Sequence, residues 1–151
     1  MDPDVDIRLI QNSEIFSIIP LLLQLNPALE STVLSQRLRE MVEQGYCCAG
    51  VFDADVLVGI CGFRIITKYY VGKHIEPDNM VIHPAHRGKG LGKHLLAWVS
   101  AYGKTQGCVA SELNCYVTNT QGQAFWVTQG YRPIALHYQQ LWGDECAQQQ
   151  G

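Results

Sequence analysis

The 151-residue sequence has no apolar run long enough to cross a membrane, no CxxC pair, no internal repeat and no excess of positive charge. Each absence removes a class of function. The greasiest stretch, Ile18 to Leu23, is short and broken by Pro20, and the chain begins Met1-Asp2-Pro3-Asp4, acidic and without the apolar segment of a secretory signal. A cytoplasmic protein with no membrane partner is expected. The six cysteines (Cys47, Cys48, Cys61, Cys108, Cys115 and Cys146) lie mostly inside strand-like runs without metal-ligand spacing, which favours buried, reduced thiols over disulfides or zinc ligands. A formal net charge of −3 at pH 7 gives no general attraction to nucleic acid or anionic lipid, so no nucleic-acid partner is expected. With 47% hydrophobic and 17% charged residues, the composition fits one compact domain over residues 1–143, followed by a glutamine-rich tail, 144–151, expected to be disordered.

What is present is concentrated between Asp78 and Leu96. A short apolar strand (Met80, Val81, Ile82) is stopped by Pro84, which lacks a ladder donor. A basic glycine-rich loop follows (Arg87, Gly88, Lys89, Gly90, Leu91, Gly92, Lys93), then an amphipathic helix with Leu91, Leu95, Trp98, Val99 and Tyr102 on one face. Such a loop at a helix start gathers free N–H groups and the positive end of the helix dipole at one point, an anion site of the kind that takes phosphate. A Walker A loop is excluded, because Gly92-Lys93 is followed by His94 and Arg87 stands where the first glycine belongs. A dinucleotide fingerprint starting at Gly88 and Gly90 would need a third glycine at the position of Lys93, although Glu112 lies at a fitting distance. His83, His86 and His94 lack carboxylate company and surround a cationic loop, so no metal site is expected.

Arg87-x-x-Gly90-x-Gly92, following a strand that ends in Ile82-His83-Pro84, resembles the pyrophosphate loop of the GNAT superfamily of acyl-CoA-dependent N-acyltransferases. A second segment, Asn119, Ala124-Phe125 and Gly130-Tyr131, is similar to that family's second cofactor segment, in which the Asn position often touches the pantetheine. The order of elements agrees with the resemblance. Val5–Ile10 reads as a strand, and Ile15–Leu25 as a helix that Pro20 either kinks or starts. Ser31–Gln44 is a cleaner helix. Tyr46–Phe52, Val56–Ile66 and His74–Ile82 read as strands, Leu91–Gln106 as a helix, Ala110–Val117 as a strand, the segment after Asn119 as a helix and Pro133–Trp142 as a last strand. The fold class expected is α/β, with a mixed central sheet of about six strands and helices on both faces.

The resemblance implies an N-acetyltransferase that moves the acetyl group of acetyl-CoA directly to a primary amine. The acceptor would be a small molecule or a peptide, and homodimers are expected at the level of the family. The alternative is a non-catalytic acetyl-CoA-binding sensor or partner module on the same fold. Chemistry sets the demand: an alkyl ammonium with a pKa near ~10.4 is almost wholly protonated at pH 7, so exposing its lone pair costs about 4 to 5 kcal/mol. Strict alternation along the strand would put Glu76, Asp78, Met80 and Ile82 on one side, and an acidic residue there often serves the family as base, usually through water. Asp78 and Glu76 are the candidates. Backbone N–H groups around Met80, Val81 and Ile82 would polarise the thioester carbonyl. Many members carry a tyrosine four residues before the Gly-Tyr pair to protonate the departing thiolate; this chain has Trp126 there, which would hydrogen-bond or pack against the sulfur end of CoA, while the proton would come from water or from a phenol such as Tyr116, with Tyr138 second.

Overall fold

The computed structural model describes residues 2–143, so the tail and Cys146 lie outside the described residues. Contacts divide the chain into two compact units, Met1–Leu113 and Asn114–Gly151. In the first, five strands form one sheet in the order β1 (Val5–Leu9), β2 (Cys47–Asp53), β3 (Val56–Lys68), β4 (Gly72–Ile82) and β5 (Ala110–Ser111). The first four run antiparallel to their neighbours, and β5 lies parallel to β4. That parallel pair follows from its connection, since α3 (Leu91–Thr105) carries the chain back across one face.

Pro20 starts a helix rather than kinking one. A 3-10 segment, Asn12–Ile18, leads into α1 (Ile19–Leu25), which has the proline in its first turn, where a missing N–H costs nothing. After α2 (Ser31–Glu43), Gly45 turns the chain at φ +93° and Tyr46 enters the core. The sheet is apolar on both faces. On one face, Leu21, Leu22, Leu34 and Leu38 of α1 and α2 pack on Cys48, Ile60 and Val81. On the other, Leu91, Leu95 and Val99 of α3 pack on Ala49, Val51, Phe63 and Ile75. Burying an aliphatic side chain contributes roughly 1.5–3 kcal/mol, so these two layers dominate the stability of the unit.

The register of β3 on β4 slips by one residue. Cys61 faces Met80 while Phe63 faces Pro77, so Asp78 and Asn79 together oppose Gly62. Such a bulge inverts the side-chain alternation downstream. Ile75, before it, and Met80 and Ile82, after it, all pack in the α3 layer, whereas Val81 lies in the α1–α2 layer. The expected single row of Glu76, Asp78, Met80 and Ile82 is therefore wrong, because the extra residue flips the parity between Glu76 and Met80.

Two further expectations are corrected. The strand expected over residues 110–117 is only Ala110–Ser111, and the last strand expected over 133–142 does not form, which makes five strands rather than about six. Period-two apolarity is enough to suggest a strand, but a strand also needs a neighbouring backbone to bond, and no ladder reaches residues 133–142 among the described residues. In the second unit the regular element is α4 (Thr120–Thr128). Asn119 caps it, accepting from the Gly122 N–H at 2.9 Å, and Gly130 at φ +93° ends it, with the Tyr131 N–H donating to the Trp126 carbonyl.

Gly62 is required by close approach: a Cβ there would stand 2.0 Å from the Tyr46 hydroxyl. Gly62→Ala is expected to destabilise the protein by about 1–3 kcal/mol, as overpacking does. Urea unfolding checks this, with a lowered midpoint at unchanged slope the expected outcome.

Candidate active site

The β4 edge that faces β5 is paired only briefly. His74 and Ile75 oppose Ala110 and Ser111, the Glu112 N–H donates to the Ile75 carbonyl at 3.0 Å, and the ladder ends there. On the other side the His83 N–H donates to the Val58 carbonyl at 2.7 Å. By the alternation of an antiparallel ladder, Val81 also bonds to β3, while the backbone groups of Met80 and Ile82 point to the open side. Of the three N–H groups expected to polarise a thioester, Met80 and Ile82 are thus available and Val81 is committed to the sheet. The bulge makes this possible, because without it Met80 and Ile82 would face β3.

Immediately beyond β4, His83 caps a 3-10 turn (Pro84–His86), with its Nδ1 accepting from the Ala85 N–H at 3.1 Å. Arg87 folds back, and its Nε donates to the Ile82 carbonyl at 3.0 Å. The loop then passes through Gly88 at φ +79° and Gly90 at φ +76°, a left-handed conformation that L side chains rarely adopt. Gly90 occupies the N-cap of α3 with no side-chain cap, and the first intrahelical bond runs from His94 N–H to Gly90 carbonyl. The N–H groups of Leu91, Gly92 and Lys93 precede that bond and project from the helix start. Lys89 and Lys93 flank them. The seven residues expected to bind phosphate, Arg87 to Lys93, thus meet at the end of β4 and the positive pole of α3.

The two candidate carboxylates have different surroundings. Asp78, on the bulge, lies 3.3 Å from Arg64, with 42% of its side chain exposed. Beside it, Asn79 accepts a hydrogen bond from the Tyr46 hydroxyl at 3.1 Å. Burial, with Cys48 and Asp78 nearby, pushes the Tyr46 phenol far up, so it remains a neutral donor. Glu76 is tied on two sides, to His74 Nε2 at 2.6 Å and Lys68 Nζ at 3.2 Å. Burial alone would raise its pKa, but the hydrogen bonds from His74 and Lys68 outweigh it and hold the carboxyl below its ordinary value. Glu76 is accordingly a poor proton acceptor.

Tyr116, Asn119 and Trp126 belong to the second unit. Tyr116 is 69% exposed, and its backbone carbonyl accepts from the Gln123 side chain. The Asn119 side-chain Oδ1 is occupied in capping α4. Trp126 sits edge-on between Phe125 and Tyr131, at 5.0 and 5.5 Å. Sequence reasoning missed Tyr46, Arg64, Asn79 and His74, whose roles depend on a bulge and a cross-strand register that periodicity does not encode.

The sequence profile described as the acetyltransferase (GNAT) family matches residues 15–131, and the chain belongs to that family. No curated protein sequence matches it significantly. Solved structures similar to this chain include the aminoglycoside N-acetyltransferase AAC(6')-Iy in complex with CoA, at 19% identity and TM-score 0.77, covering 93% of this chain and 99% of that one. Another is a ribosomal-protein-alanine N-acetyltransferase from Brucella melitensis biovar Abortus 2308, at 20% identity and TM-score 0.78, covering 92% and 99%. A third is glucosamine-6-phosphate N-acetyltransferase from Arabidopsis thaliana, at 20% identity and TM-score 0.70, covering 92% and 99%. At these identities the likeness is one of fold. Among the described residues, no helix is long and apolar enough to cross a membrane.

The cysteines nearest the bulge are poor nucleophiles, since burial above all pushes the Cys48 and Cys61 thiols up to about 12. In native protein at pH 8, neither should react with iodoacetamide while both react after unfolding, as mass spectrometry of labelled peptides would show.

Proposed function

We propose that this protein is an N-acetyltransferase that carries the acetyl group of acetyl-CoA to a primary amine, with residues 1–143 as its domain. The observation that carries this reading is the juxtaposition of an unpaired, bulge-inverted strand edge with an uncapped helix start: the first suits an amide-bearing pantetheine arm and a thioester carbonyl, the second a pyrophosphate. In this reading Arg87 to Lys93 hold the pyrophosphate, Met80 and Ile82 N–H groups hold the thioester oxygen, and Asn119 and Trp126 contribute from the second cofactor segment. Asp78 takes the proton of the attacking ammonium through water. The lone pair attacks the thioester carbon, the C–S bond breaks, and the new amide nitrogen releases its extra proton to water. The thiolate takes a proton from solvent, or from Tyr116, which solvent then reprotonates; a leaving group with a parent pKa near ~8.5 tolerates either. Glu76 stays ionised in its ion pairs, and a cysteine acyl-enzyme is not required.

Gly92→Glu separates the loop from the fold. A Cβ at Gly92 would meet only Met80 Cε at 3.6 Å, and a carboxylate in a first helical turn favours the helix. The variant should keep its melting temperature and lose CoA affinity by roughly tenfold to a hundredfold, by calorimetry. In the wild type, CoA at 100 times Kd should stabilise by about 2.7 kcal/mol while NADH and ATP do nothing; NADH stabilising instead would remove the reading.

With an acceptor found by screening amines for CoA release, Asp78→Asn should lower kcat by roughly 10²-fold or more at unchanged CoA affinity, Glu76→Gln less, and Tyr116→Phe only modestly. Tight CoA binding with no turnover on any amine would favour the non-catalytic module.

A further inference from the structure

His74 is fully buried, and both of its ring nitrogens face oxygen: Nδ1 lies 3.0 Å from the Gly72 carbonyl and Nε2 lies 2.6 Å from Glu76 Oε2. A carbonyl and a carboxylate only accept, so a neutral imidazole would set a lone pair against one of them, and only the imidazolium satisfies both. The same Nε2 stands 3.9 Å from Glu112 Oε1, across the point where the β4–β5 ladder ends. Two carboxylates, one on β4 and one just past the end of β5, thus converge on one ring where the ladder stops. We propose that His74, as an imidazolium, braces β4 against the chain leaving β5 and so sets the width of the cleft into which an acyl-CoA arm would enter. It is a positioning residue, and its bearing on the cofactor rests on the acetyltransferase reading.

The charges around it close a balance. Glu76 comes from its own strand and Glu112 from the chain after β5. Lys68 of β3 pairs with Glu76, and Tyr70 of the β3–β4 turn donates to Glu112. Neither α1, α2 nor α3 contributes an ion pair or hydrogen bond to His74 among the described residues. Two anions are held by two cations. Removing the imidazolium proton leaves Lys68 alone against two carboxylates that then repel across the cleft mouth. Burial favours the neutral ring, but the bonds to Gly72 and Glu76 and the field of Glu112 prevail and raise the pKa above its ordinary 6.5. A raised folded pKa means that this stabilisation is complete below about 6.5 and is lost as pH rises through the folded value.

Three measurements on the intact protein test the brace. Long-range 1H–15N spectra of the imidazoles should show His74 more than half doubly protonated at pH 6.5, the ordinary value, and a neutral ring at that pH overturns the proposal. The exchange protection factor of the Glu112 amide, bonded to Ile75, should fall at least fivefold as His74 titrates, a readout that involves no ligand. A constant protection factor across the titration also overturns it. CoA affinity should weaken about fivefold or more over the same range in the wild type, and this dependence should flatten in His74→Gln. It should flatten equally in Glu112→Gln, which removes the repulsion without removing the buried cation and so serves should His74→Gln fail to fold. CoA affinity that stays constant through the His74 titration overturns the positioning role. Loss of Glu112 protection in a protein that binds no CoA would keep the brace and remove the acetyltransferase reading.

Discussion

Tyr46 is buried and its hydroxyl needs a partner, and Asn79 accepts the hydrogen bond from a position that exists only because β4 bulges between Pro77 and Met80. Gly62 makes room for the ring, and Gly45 turns the chain that delivers it. The rest of the site is downstream of this contact. One extra residue inverts the parity of β4, which sends Val81 into the ladder and leaves the backbone groups of Met80 and Ile82 on the open side. It also sets Asp78 beside Arg64 at the surface. A hydrogen bond worth about 1 kcal/mol in net stability therefore fixes the orientation of groups whose value lies in their direction.

The glycine loop depends on the same strand. Pro84 and the His83 cap end β4, Arg87 bonds back to the Ile82 carbonyl, and the left-handed Gly88 and Gly90 turn the chain so that α3 begins without a side-chain cap. At φ +76° any other residue at the N-cap would be strained, so glycine is required there by the backbone, and it leaves the first N–H groups of α3 without a side-chain partner. In the proposed reading that opening takes the pyrophosphate.

What was legible in the sequence was what depends on local chemistry. Gly90 and Gly92 after Ile82-His83-Pro84 located the glycine loop at the start of α3, apolar periodicity located α2 and α3, and Asn119 located the cap of α4. What was not legible depends on register. Glu76 and Asp78, two apart, looked equivalent because alternation was assumed, and only the pairing of Cys61 with Met80 against Phe63 with Pro77 separates them. Residues 133–142 show the converse. Their pattern suits a strand, yet side-chain period cannot supply the partner backbone that makes one.

The separation of the two carboxylates has a chemical consequence. A base that accepts a proton from an ammonium must be ionised at neutral pH and free to move that proton on, and the first condition is easier to satisfy than the second. Glu76 meets only the first: His74 and Lys68 hold its charge, and a proton arriving there would break both contacts. Asp78 is half-exposed, with one cation at 3.3 Å, so in the proposed mechanism a proton arriving there would break one contact rather than two. Before the bulge, the carboxylate belongs to the charge cluster that joins β4 to β5. On the bulge, the next one pairs with Arg64 of β3 and stays half-exposed.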